Sequence, residues 1–190
     1  MKKNIITIAG DLASGKGTVS KLLSEKLNYK IYSNGMYFRS LAAQMNMSVT
    51  DFNVYVEKHP EIDMQIEKSA KEYAESNDNL IIDARLGWYV VPDSFKIYLK
   101  VDIDEAAKRA YFDKNRKDTE NLENIELQKQ DLIKRFNLEN ERYFNIYGVR
   151  KDDMSNYDFV LDTTNLTPEE VCSVILEKYN EWKTNNKWRN

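Results

Sequence analysis

At 190 residues the chain is long enough for one domain with a continuous core. Its 28 Lys and Arg residues against 31 Asp and Glu give a net charge of −3, which offers no basis for non-specific binding to a nucleic-acid polymer. A single cysteine, Cys172, excludes an internal disulfide and points to the reducing cytoplasm. No stretch approaches membrane-spanning length, and Gly10 and Asp11 cut the apolar run after Met1-Lys2-Lys3 too short for a signal peptide.

The run Ile5 to Ala9 predicts a strand, and the following turn holds Gly10, Gly15 and Gly17, three of the six glycines. Val19, Leu22, Leu23 and Leu27 then recur at helical spacing. Strand, glycine turn and helix is the context of a phosphate-binding loop, whose backbone N–H groups and helix N-terminus hold phosphate oxygens. Lys16 supplies a point charge for the outer phosphates. The residue after it is Gly17, and the hydroxyl comes one place later at Thr18, so a magnesium ion is expected to be held mainly by nucleotide oxygens and water.

Tyr29–Ser33 predicts a second strand, which makes a parallel α/β unit with the first. Three helices follow without a strand: one after Gly35, one behind the capping pattern Ser48-Val49-Thr50-Asp51, and one opened by Pro60 with the stripe Ile62, Ile66, Ala70, Tyr73. This insertion resembles a substrate-binding arm. Asn79–Asp83 and Phe95–Val101 are buried-type strands, and Asp102 with Glu105 caps a helix. The charged stretch from Lys108 to Tyr147 reads as helical, with Gly148 as its stop. Tyr157–Asp162 is a fifth strand, Thr167-Pro168-Glu169-Glu170 opens the last helix, and Lys183–Asn190 reads as a frayed tail.

Phosphoryl transfer is accelerated by cations placed around the migrating group. Arg135 and Arg142 share a helix face with Glu139 between them, where one carboxylate could hold both, and Arg109 and Arg116 repeat the spacing upstream. Asp83-Ala84-Arg85 sits at the carboxyl end of the third strand, where α/β proteins bind ligands. There Asp83 can accept from a metal-bound water and Arg85 can form a forked contact to a phosphate. His59 reads as a loop or cap residue and Trp88 as a core residue.

The ordered set Gly10-x4-Gly15-Lys16-Gly17-Thr18, Ser33-x-Gly35-x2-Phe38-Arg39, Asp83-x-Arg85-Leu86, Arg135-x3-Glu139-x2-Arg142-Tyr143, Ile146-Tyr147-Gly148 and Asn156-Tyr157-Asp158 resembles the short cytidylate kinase-like family of P-loop nucleoside monophosphate kinases over about residues 4–180. The resemblance implies a five-stranded parallel sheet flanked by helices. It divides the chain into a core (1–34, 78–107, 148–183), an arm for the monophosphate (35–77) and a lid (108–147). It also implies ATP and Mg²⁺ as co-substrate and cofactor, and transfer of the γ-phosphoryl to CMP or dCMP. Gly10, Ala13, Ser14, Gly15, Lys16, Gly17, Thr18 and Val19 would hold ATP, with Arg109 over its adenine or phosphates. Ser33, Gly35, Phe38, Arg39 and Arg85 would surround the monophosphate, and Arg135 and Arg142 would reach in from the lid. Asp83-Ala84-Arg85-Leu86-Gly87-Trp88 and Asp11-Leu12-Ala13 depart from the family's usual wording, which leaves fold and reaction type in place and the base preference open. A kinase of another small acceptor, AMP or a metabolite, is the alternative enzyme, and a nucleotide-binding regulatory module the alternative outside catalysis. A monomer or weak dimer with small-molecule partners is expected.

Overall fold

The structure, a computed structural model, describes residues 3–47, 49–113 and 124–186. Five parallel strands, β1 (Ile5–Gly10), β2 (Lys30–Ser33), β3 (Leu80–Asp83), β4 (Phe95–Lys100) and β5 (Phe159–Asp162), lie in the order β2-β3-β1-β4-β5. Every residue of the central strand β1 is buried, as expected of a parallel strand covered on both faces. Ile6 and Ile8 face α1 (Lys16–Leu27) and α8 (Pro168–Asn186), meeting Val19, Leu23, Val171 and Ile175. On the other face Ile5, Leu80 and Ile82 pack with Ala74 of α4 (Pro60–Ser76), and Thr7 bonds Ser94 at 2.9 Å. The carboxyl ends of β1 and β4 run on past that of β3, which ends with Asp83 opposite Ile8, while Gly10 lies opposite Leu99. The glycine turn therefore opens at the centre of that edge.

The insertion after β2 forms α2 (Asn34–Gln44), α3 (Val49–Glu57) and α4 around Phe52 and Val56. Beyond β4 come α6 (Ile103–Phe112), packed against α7 (Ile125–Tyr147) through Ala106, Ala107, Ala110 and Leu132. The caps follow their sequence signals. Asp102 accepts from the amides of Asp104 and Glu105, Thr167 and Glu170 form a reciprocal box, and Gly148 takes φ +68° with its N–H on the Phe144 carbonyl.

Several elements differ from expectation. The helical stretch predicted over 108–147 is two helices, α6 ending at Phe112 and α7 beginning behind an Asn124 cap, and Arg116 lies outside the described residues, as does Ser48. A short helix, α5 (Gly87–Val90), follows Asp83-Ala84-Arg85, where the four residues are too few to show a period. The fifth strand starts at Phe159 because Tyr157 turns inward onto Tyr98, ring centroids 5.0 Å apart. α8 continues to Asn186, past the expected fraying point at Lys183. No helix among the described residues is long and apolar enough to cross a membrane.

The segment after α7 is fastened by charge. Lys151, 1% exposed, donates to Glu139 Oε2, and Arg85 Nε donates to the same oxygen at 2.6 Å. Burial alone would raise the Glu139 carboxyl, but the two cations outweigh it and hold the group well below the usual carboxylate range. Glu139→Gln leaves two buried cations without their counter-charge and is expected to cost about 3–5 kcal/mol, read as a fall in Tm of roughly 10 °C. Because the folded carboxyl is the stronger acid, wild-type stability falls as pH drops below about 4.5, where the unfolded chain takes up the proton first, and the variant lacks that part of the acid slope. Gly10 makes a second, steric prediction. A Cβ there would run into the Leu99 carbonyl oxygen and stand 2.9 Å from its amide nitrogen, whereas at Gly17 it would meet nothing within 4 Å. Gly10→Ala is expected to lose about 2–3 kcal/mol in thermal unfolding and Gly17→Ala none.

Candidate active site

The glycine turn is anchored from below. The Asp11 carboxylate accepts from Tyr98 Oη at 2.6 Å and from the Val101 amide at 3.0 Å, so the residue that departs from the family's usual loop start ties the turn to β4. The Asp11 amide donates to the Leu99 carbonyl at 2.9 Å, and Thr163 Oγ1 donates to the Ser14 carbonyl at 3.2 Å. Ala13 (φ +62°) and Gly15 (φ +88°) reverse the chain into α1. No side chain caps α1, and a Cβ at Gly15 or Gly17 would meet nothing within 4 Å. The first-turn amides of a twelve-residue helix thus face open space, the arrangement that binds an anion.

Lys16 folds over the turn, its Nζ 3.0 Å from the Gly10 carbonyl and 2.8 Å from that of Asp11. Burial lowers its pKa to about 8. The Asp83 carboxylate pulls the other way, and the charges of Arg85 and Lys151 lower it further. Asp83, opposite Ser33 in the sheet, accepts from Ser33 Oγ at 3.4 Å, and that same oxygen lies 3.4 Å from the Met36 amide at the start of α2. Arg85 leaves the end of β3 and donates Nε to Glu139, so its paired Nη groups remain as a fork. Burial opposes its charge, and the Glu139 carboxylate more than restores it.

The predicted arginine clamp is wired differently from its spacing. Glu139 does not hold Arg135 and Arg142; it turns inward to Arg85 and Lys151. Arg142 Nε instead lies 2.7 Å from Asp63 Oδ2 on α4, joining α7 to the arm, and Arg135 stands 3.7 Å from Asp131, one turn back on its own helix. Arg109 donates to the Thr163 and Thr164 carbonyls at 2.8 and 3.0 Å and pairs with Glu105 at 3.0 Å, bracing the loop that supports Ser14. Arg39 is exposed beside Gly35, where an added Cβ would stand 3.7 Å from Arg39 Nη1 and Ser33 Oγ. Phe38 packs edge-on against Phe52 at 4.7 Å, inside the arm's own cluster, and the Val19 side chain lies in the main core. His59 caps α4 and stacks on Tyr55 at 4.0 Å, while Trp88 is half-buried in an aromatic group with Tyr89 and Tyr157.

Four residues beside the site fall outside the sequence motifs. Lys151 sits in a polar stretch that reads as surface, and Thr163 follows a strand without a motif. Asn34 reads only as part of a turn. Glu67 stands four residues after Asp63, a spacing that puts both carboxylates on one helix face. Both are 5% exposed.

A model of the cytidylate kinase-like family matches residues 5–165. A cytidylate kinase of Thermoplasma acidophilum is 39% identical over 182 residues, covering 93% of this chain and 92% of its own. An S-adenosylmethionine-dependent nucleotide dehydratase of Lacinutrix mariniflava is 32% identical over 178 residues, 93% of this chain but 36% of that much longer one. Among solved structures, shikimate kinase from Acinetobacter baumannii in complex with shikimate superposes with a TM-score of 0.62 at 18% identity, covering 95% of each chain. Glycine turn, parallel sheet and family match agree: this chain belongs to the cytidylate kinase-like family and has the fold of the P-loop kinases.

Proposed function

We propose that this protein is a nucleoside monophosphate kinase that transfers the γ-phosphoryl of ATP to a pyrimidine monophosphate, CMP or dCMP. The observation that carries the reading is the pairing of Lys16, over the glycine turn, with the Arg85 fork at the neighbouring strand end, close enough to repel each other and both within reach of the Asp83 charge. Two cations held together in a half-buried cleft call for anions on both sides. The amides of Gly15 to Thr18 and Lys16 receive the donor's phosphates. Ser33, Arg39 and the Arg85 fork receive the acceptor's phosphate, and Arg135 and Arg142 lie on the helix of the proposed lid.

The acceptor is itself an anion, so its oxygen needs no strong base to attack; what it needs is relief from repulsion by the donor's phosphates. Lys16 and Arg85 provide that relief, and Glu139 keeps the Arg85 fork aimed while holding only its Nε. Mg²⁺ would neutralise charge between the phosphates when bound. Asp83 and the exposed Thr18 hydroxyl are the hard oxygen donors that this edge offers to such an ion or its water shell. In this reading the arm and the lid close over both nucleotides and keep water from the phosphoryl group.

The test is ADP release from ATP with a panel of acceptors: CMP, dCMP, UMP, AMP and hydroxyl metabolites. Lys16→Ala is expected to cut turnover on the order of 10²–10³-fold or more with an unchanged circular dichroism spectrum. Arg85→Lys keeps a charge for Glu139 but loses the fork, so KM for the monophosphate should rise at least tenfold with little change for ATP. An Arg85→Lys enzyme with wild-type monophosphate kinetics would refute this placement. The lowered Lys16 pKa adds a linkage prediction. Bound phosphate favours the ammonium form, so ATP binding takes up a proton above about pH 8 and the affinity declines as pH rises beyond that value. Calorimetric titrations at pH 8.5 in buffers of different ionisation enthalpy read this uptake directly.

A further inference from the structure

Behind the cationic end of the cleft stands a charged side chain that the transfer step does not use. Lys151 is almost wholly enclosed, and its Nζ donates to Glu139 Oε2, the same oxygen that takes Arg85 Nε at 2.6 Å. The residue is fastened along its whole length. Its amide donates to Asn140 Oδ1 at 3.1 Å, its carbonyl accepts from Tyr157 Oη at 2.6 Å, and its Nζ lies 4.5 Å over the Phe136 ring. Lysine is among the side chains least often enclosed, and then only with a partner. Stability does not account for this one. An enclosed ion pair adds little over apolar side chains of the same volume, and Glu139 already has Arg85 as its counter-charge.

Resting on the reading of this chain as a nucleoside monophosphate kinase, we propose that Lys151 is a positioning residue for the transfer step. By sharing Glu139 Oε2 with Arg85, it holds the carboxylate to one bond with the guanidinium and keeps both Nη groups for the acceptor's phosphate.

The physical reason lies in what the pair would do alone. A carboxylate and a guanidinium favour two parallel bonds, one oxygen on Nε and the other on an Nη. Glu139 in that arrangement would consume half of the Arg85 fork and turn its plane. Lys151 opposes the turn because it draws Oε2 toward the core from a main chain that is itself pinned on both sides. The geometry that serves the ligand is thus one that Arg85 and Glu139 would not adopt by themselves. Lys151 acts on the acceptor through Arg85 and touches the reaction at no other point.

Lys151→Met tests this, since methionine fills the same space over Phe136 and leaves Glu139 and Arg85 as one charge against one. The variant is expected to fold, checked by circular dichroism and thermal unfolding. Its KM for the monophosphate should rise about tenfold while KM for ATP stays within about twofold. The deciding measurement is the double-mutant cycle with Arg85→Lys, which has no fork to protect. In that background Lys151→Met should change the monophosphate KM by less than about twofold, whereas a merely structural role would give the same factor in both backgrounds. Should Lys151→Met fail to fold, Lys151→Gln, which keeps an N–H donor beside Glu139, takes its place in the cycle under the same criteria. A wild-type monophosphate KM in the folded variant would overturn the positioning role and leave the kinase reading intact. So would a loss shared equally by ATP and monophosphate, or an effect of full size in the Arg85→Lys background. Absence of phosphorylation by the wild type with every nucleoside monophosphate would overturn both.

Discussion

One carboxylate oxygen sets the geometry of the cationic end of this molecule. Glu139 Oε2 accepts from Arg85 at the end of β3 and from Lys151 behind α7, so a strand end, a long helix and the segment leading to β5 are tied at one atom. Lys151 adds apolar shelter by lying 4.5 Å over the Phe136 ring. Around this atom Lys16, Arg85 and Lys151 repel each other, with Asp83, Glu139 and Asp11 as their counter-charges. These cations gather beside the uncapped amides at the start of α1, and in a net-acidic protein that is the place where an anionic ligand is favoured.

The same arrangement explains why Arg85 can both hold the fold together and serve a ligand. A guanidinium presents five N–H donors in a rigid plane, and only Nε is taken up by Glu139. A lysine in its place would satisfy Glu139 with the whole of its charge and keep no fork. The Lys151–Glu139 contact then has a clear physical role: it draws the carboxylate toward the core, so the Arg85 plane is fixed from behind by a side chain that is itself immobile.

Much of this was written in local sequence, and the parts that were not share a cause. The glycine turn, the strands, the capping boxes at Asp102 and Thr167 and the Gly148 stop all act between near neighbours in the chain, which is the range that spacing reports. The partners of the charged residues act over much longer ranges. Arg142 meets Asp63 across the arm, and Glu139 meets Arg85 at a separation of 54 residues, so the helical i+4 and i−3 positions around Glu139 suggested a clamp that tertiary packing overrode. Lys151 was invisible for the opposite reason. A lone lysine in polar sequence reads as surface, and only the fold shows it closed in beneath Phe136 and Glu139.

The chemistry of the cleft is graded along its length, and the gradient argues for the shape of what it binds. Cations and free amides gather at the glycine turn, whereas the arm end is lined by Asn34, Asp63 and Glu67, whose oxygens outnumber the charge that Arg142 brings. The fold is common to kinases of many acceptors, so it is this distribution of side chains along the sheet edge and the arm, and not the sheet itself, that bears on which acceptor is taken.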